Sequence, residues 1–118
     1  MGEKRSVRLY LSDIIESITL IREYVHGLDP ETFEKDTLVQ DAVARRLEII
    51  AEASKHIPPP ELKGSQATIP WRSIQSMRNV MVHEYFGVQK IFVWRTVTED
   101  LDELEVAVKA MLADTPEE

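Results

Sequence analysis

With 118 residues, of which 43% are hydrophobic and 30% charged, the chain has the size and balance of one globular domain. We expect a single domain over residues 1–118, with a frayed tail at 113–118. The lack of cysteine excludes disulfides and thiolate chemistry and fits a cytoplasmic protein, and the mixed polar N-terminus predicts neither a signal peptide nor a membrane span. A net charge of −7 excludes coating of nucleic acid by charge alone, so any RNA contact must be local or built from an oligomer's surfaces.

The first predicted helix runs from about Ser6 to Val25. Its apolar residues recur every three or four positions and form one stripe: Leu11, Ile14, Ile15, Ile18, Ile21 and Val25. Gly27 is expected to end this helix. Asp29 is then a predicted N-cap for a short helix, with Pro30 in the first helical position and Leu28 able to pack on Phe33.

The second long helix is predicted from about Thr37 to His56, and the three prolines at 58–60 stop it. Its apolar residues are Leu38, Val39, Ala42, Val43, Leu47, Ile49, Ile50 and Ala53. His26 and His56 are placed at helix ends, where the helix dipole favours them. Residues 57–69 are predicted to form the one substantial loop.

A third helix is predicted from about Pro70 to Tyr85, with Gly87 as its terminator. Residues 89–97 then look like one or two helical turns. Asp100, with Glu103 three residues later, predicts a capped start for a last helix that ends near Ala113. No alternating strand pattern is present, so we expect an all-α, up-and-down bundle of four to five helices.

The most informative segment, residues 71–85, reads WRSIQSMRNVMVHEY and contains the pattern R-x4-H-x-Y at Arg78, His83 and Tyr85. RNA can be cut without a metal because its 2′-hydroxyl is an internal nucleophile. A histidine side chain, with an ordinary pKa of about 6.5, can move the protons, and an arginine fork can hold the phosphate charge. Asn79 is placed to orient a ring nitrogen or a phosphate oxygen.

This pattern also allows a structural interpretation. Arg78 and His83 lie five residues apart, about 140° around a helix, so one straight helix cannot direct both at the same phosphate. The length of the arginine side chain, fraying of the helix near Gly87 or a second subunit must therefore bring the two groups to one phosphate. An ion-paired Arg78 and a half-exposed His83 remain open as the alternative. No His, Asp and Glu cluster has metal-ligand spacing, so no metal site and no cofactor is expected.

Several segments together resemble the HepT-like family of HEPN ribonuclease toxins, once known only as a domain of unknown function (DUF86). The resemblance includes Ile69-Pro70-Trp71, Met77-Arg78-Asn79 and Val82-His83-Glu84-Tyr85-Phe86-Gly87. It extends to Tyr10-Leu11-Ser12-Asp13-Ile14, Asp41-Ala42-Val43, Arg45-Arg46-Leu47, Ile49-Ile50-Ala51-Glu52-Ala53 and Val93-Trp94. It therefore spans nearly the whole chain. One position departs from the family pattern: Ala51 stands where a glycine is common.

The resemblance implies a HEPN helical bundle that forms a homodimer, with the motif segments of two subunits lining one cleft. It implies a metal-independent endoribonuclease with Arg78 and His83 as catalytic residues. It also implies a minimal nucleotidyltransferase antitoxin that transfers AMP to Tyr85. Asp41, Arg45 and Glu52 can either support this cleft or have a purely structural role, and both interpretations stay open.

Two other functions remain possible from the sequence. The chain can be an inactive helical partner whose task is to bind a minimal nucleotidyltransferase. It can also be a substrate-binding domain for an aminoglycoside-type nucleotidyltransferase, because an acidic face suits cationic drugs. That last function leaves the R-x4-H-x-Y segment unused, and we rank it below the other two.

Overall fold

The computed structural model describes residues 6–57 and 93–114, and the regular elements in these two ranges are all helical. Three helices come from the first range: α1 (Val7–Val25), α2 (Pro30–Lys35) and α3 (Thr37–Ser54). In the second range, helical residues 93–95 lead into a π-helical turn, Thr96–Asp100, and then into α4 (Leu101–Asp114). The prediction of an all-α fold is confirmed.

Local signals in the sequence set both ends of α1. The Ser6 hydroxyl oxygen accepts a hydrogen bond from the Leu9 amide at 3.1 Å, as expected of an N-cap. Gly27 follows the helix with a φ of 80°, in the left-handed region that only glycine enters without steric cost. The predicted extent of this helix is therefore confirmed.

Helix α2 is short, and its position is fixed by its cap and by one buried ring. Asp29 Oδ1 accepts a hydrogen bond from the Thr32 amide at 2.8 Å, and Thr32 Oγ1 accepts one from the Asp29 amide at 3.1 Å. Phe33 is fully buried. Gln40 Nε2 of α3 donates to the carbonyls of Phe33 and Glu34, at 2.7 and 2.8 Å. These bonds satisfy carbonyls that the end of a helix leaves without an intrahelical donor.

Helix α3 begins where Asp36 accepts a hydrogen bond from the Val39 amide at 3.1 Å. The predicted apolar set of this helix needs one correction, because Leu38 is 79% exposed. It lies five residues before the buried Val43, about 140° around the helix, and so points away from the buried stripe. Ala51 is fully buried, so its methyl group is accommodated within the core.

Helix α1 packs against both α3 and α4 and runs antiparallel to each. Near the start of α1, the Tyr10 ring lies on His56, just after α3, whereas Ser17 farther along α1 meets Arg46 of α3. On the other side, Arg8 Nη1 donates to the Leu112 carbonyl at 3.1 Å, and Arg22 contacts the beginning of α4. The fold thus agrees with the predicted up-and-down bundle.

The core between these helices is built from aliphatic side chains. Its fully buried members include Leu11, Ile14, Ile18 and Ile21 of α1, Val43, Leu47, Ile50 and Ala51 of α3, and Leu101, Leu104 and Val108 of α4. Among the described residues, no helix is long and apolar enough to cross a membrane.

The predicted capped start at Asp100 is wrong. The chain is helical from residue 93 without a break, and Asp100 is the last residue of the π turn, not an N-cap. Both Arg95 before the turn and Leu101 after it have right-handed helical backbone angles. An N-cap needs extended backbone angles, which an uninterrupted helix does not supply.

Candidate functional site

The three residues of the predicted motif, Arg78, His83 and Tyr85, and the supporting Asn79 lie outside the described residues. Their roles stay predictions. The remaining candidate residues, Asp41, Arg45 and Glu52, belong to α3 and are described.

Helix α3 carries the three residues that were predicted as possible support for a cleft. Asp41, Arg45 and Glu52 follow each other at intervals of four and seven residues, which places them on one face of the helix. Arg45 and Glu52 line the same groove between α1 and α3. Asp41 is exposed one turn before Arg45 and is not among the described residues that line this groove.

This groove, which we call the α1/α3 groove, has a volume of about 400 Å³. Its polar lining consists of four carboxylates, two guanidinium groups and one phenol. The described lining residues are Tyr10, Asp13 and Glu16 of α1, and Arg45, Arg46, Glu48, Ile49, Glu52 and Ala53 of α3. A groove with this lining can accept hydrogen bonds from donor groups and can bind an anion only where its arginines lie.

Each of the two arginines contacts a neighbouring side chain. Arg45 Nη1 forms an ion pair with Glu48 Oε1 at 3.3 Å, and Arg46 Nη1 donates to Ser17 Oγ at 3.4 Å. The Arg45 side chain is 65% exposed. Because a guanidinium group has five N–H donors, this one ion pair leaves Arg45 able to bind a further acceptor.

Tyr10, one of the residues that line the α1/α3 groove, stacks on His56, which follows α3. The rings of Tyr10 and His56 stack with centroids 4.4 Å apart and planes inclined by 7°. His56 Nε2 also lies 3.4 Å from Glu52 Oε2, and Lys55 Nζ lies 3.6 Å from Glu52 Oε1. Glu52 thus links the groove wall to the ring pair.

Sequence reasoning missed the contact between His56 and Tyr10, because it assigned His56 only a place at a helix end. Tyr10 and His56 are 46 positions apart, and only the antiparallel packing of α1 on α3 brings them together. A weak signal was present in the sequence. Tyr10 is near the start of the first long helix and His56 is at the end of the second, and antiparallel packing of two such helices brings these ends together.

Among residues 6–57 and 93–114, no three His, Asp or Glu side chains are arranged to hold a metal ion. The described lining of the groove offers ion pairs and hydrogen bonds.

The comparisons with known proteins agree with one another. The family described as "Ribonuclease HepT-like" matches residues 14–111. The chain is 46% identical to the "Probable ribonuclease HepT" of Thermococcus cleftensis over 102 residues, which are 86% of this chain and 92% of that protein. It is 38% identical to the "Putative RNase TTE0752" of Caldanaerobacter subterraneus over 108 residues, 92% of this chain and 96% of that protein.

A third relative has a different architecture. The chain is 35% identical to the "Gamma-glutamylcyclotransferase and putative RNase MJ0434" of Methanocaldococcus jannaschii, where the match covers 94% of this chain and 50% of that protein. No solved structure matches. The family match and the length of the alignments confirm the resemblance drawn from the sequence, and the chain belongs to the HepT-like ribonuclease family.

Proposed function

We propose that this protein is a metal-independent endoribonuclease in which Arg78 and His83 perform the chemistry. The observation that carries the proposal is membership of a ribonuclease family whose match, residues 14–111, includes the whole R-x4-H-x-Y pattern. The relatives named as ribonucleases align over nearly the full length of the chain, which supports the same assignment.

In the proposed reaction, the 2′-oxygen of a ribose attacks the adjacent phosphorus and the bond to the 5′-oxygen of the next nucleotide breaks. The products are a 2′,3′-cyclic phosphate and a free 5′-hydroxyl. His83 takes the proton from the 2′-hydroxyl or gives one to the departing 5′-oxygen, and Arg78 stabilises the added negative charge on the phosphate. Asn79 orients the imidazole or a phosphate oxygen.

We further propose that two copies of the chain form the active site. The separation of Arg78 and His83 around one predicted helix is resolved if segments from both subunits of a homodimer line one cleft. Asp41, Arg45 and Glu52 support this cleft from α3. The exposed guanidinium of Arg45 favours that role, because it can contact RNA phosphate on a protein whose overall charge is −7.

The proposal is tested with purified wild type and the variants Arg78→Ala and His83→Ala, incubated with RNA in the presence of EDTA. We expect wild type to cleave and each variant to lose about 10²-fold or more of the rate, the usual loss for an acid–base or charge-stabilising group. Lys35→Ala, an exposed substitution on α2, is the matched control. Equal cleavage by wild type and both variants, with folding intact by circular dichroism, would remove the assignment.

We also propose that the protein is the toxin of a two-gene toxin–antitoxin system in the cytoplasm, with a minimal nucleotidyltransferase as its antitoxin. AMP attached to Tyr85 would place negative charge where RNA phosphate has to bind, and so silence the nuclease. Co-expression with the partner followed by mass spectrometry tests this. We expect an adduct of AMP mass on Tyr85 and none on Tyr85→Phe, and an unmodified Tyr85 with an active partner would contradict it.

The second candidate is an inactive binding module for the same nucleotidyltransferase. The acidic balance of the α1/α3 groove favours it, because four carboxylates against two arginines disfavour a polyanion. Tight partner binding without any RNA cleavage would establish this alternative.

A further inference from the structure

We draw no further inference here: the strongest candidate, the α1/α3 groove with its mainly acidic lining, carries none, because Glu48 and Glu52 already pair with Arg45 and Lys55 and nothing among the described residues points to a ligand.

Discussion

Arg22 makes the main charged contact between α1 and α4 in the described structure. Its guanidinium forms ion pairs with Asp102 and with Glu105, and Glu105 also pairs with Lys109 at 3.1 Å. The hydrogen bond from Arg22 lowers the pKa of Glu105 below its ordinary value, and the bond from Lys109 adds to this effect. The hydrogen bond with Glu105 raises the pKa of Arg22, and the negative charges of Glu105 and Asp102 add to this effect.

We expect Arg22→Met to lower the free energy of unfolding by about 1 kcal/mol at pH 7, the upper end for partly exposed ion pairs. The contribution of Glu105 is present above the ordinary glutamate pKa of 4.5 and is lost as pH falls through its lowered folded-state pKa. Urea unfolding at several pH values should therefore show the gap between wild type and variant closing in acid.

Lys35→Met serves as the control for the Arg22 substitution, because Lys35 is an exposed cation of α2 away from this contact. It should change stability little at any pH. A gap for Arg22→Met that stayed constant down to pH 2 would show that packing, not the ion pairs, accounts for the loss.

At the scale of elements, the π turn before α4 places a half-buried carboxyl beside a buried leucine. Leu101 lies four residues after the buried Val97 and three before the buried Leu104, so it continues the apolar stripe and is fully buried. Asp100, the last residue of the π turn, precedes it directly. Asp100 stays half-buried, and burial, with the negative charges of Glu99 and Glu103, raises its pKa.

We expect Asp100→Asn to increase the free energy of unfolding at pH 7, by up to about 1.4 kcal/mol for each pKa unit of the shift. A carboxyl whose folded-state pKa is raised binds its proton more tightly in the folded protein, so its cost appears at high pH. As pH falls below the ordinary aspartate pKa of 3.8, wild type and variant should become equally stable. Chemical unfolding at pH 7 and pH 3 measures both values, and a less stable variant at pH 7 would contradict the prediction.

For the molecule as a whole, α1 is the central element because α3 and α4 both pack against it. Four of its side chains, Leu11, Ile14, Ile18 and Ile21, are completely buried. Burial of aliphatic side chains is the main favourable term in folding, at about 1.5–3 kcal/mol for each. The α1/α3 groove lies between two of these helices, so its geometry depends on this packing.

We expect Ile18→Ala to lower the free energy of unfolding by about 2–5 kcal/mol, because it removes buried methyl groups and leaves a cavity. Ile15→Ala removes the same atoms from a partly exposed position on the same helix and should cost clearly less. Urea unfolding of both variants makes the comparison. Equal losses would mean that the Ile18 side chain is no better buried than that of Ile15.

The sequence by itself determined the features that depend on neighbouring residues. The extent of α1, the cap at Asp29, the stop at Gly27 and the apolar stripe of α1 were all predicted correctly, because each arises from short-range hydrogen bonds or helical periodicity. The family was also determined, since its recurring segments extend along nearly the whole chain. For the candidate site, the sequence identified the residue types of the R-x4-H-x-Y motif. It also identified the face of α3 that carries Asp41, Arg45 and Glu52.

Tertiary structure decided the features that depend on which helix faces meet. No local pattern predicted that His56 would stack on Tyr10, that Arg22 would reach α4, or that a π turn would replace the expected cap at Asp100. The physical reason is the same in each case. A helix is fixed by contacts within a few residues, whereas its partners and its rotation are fixed by packing between residues far apart in the chain.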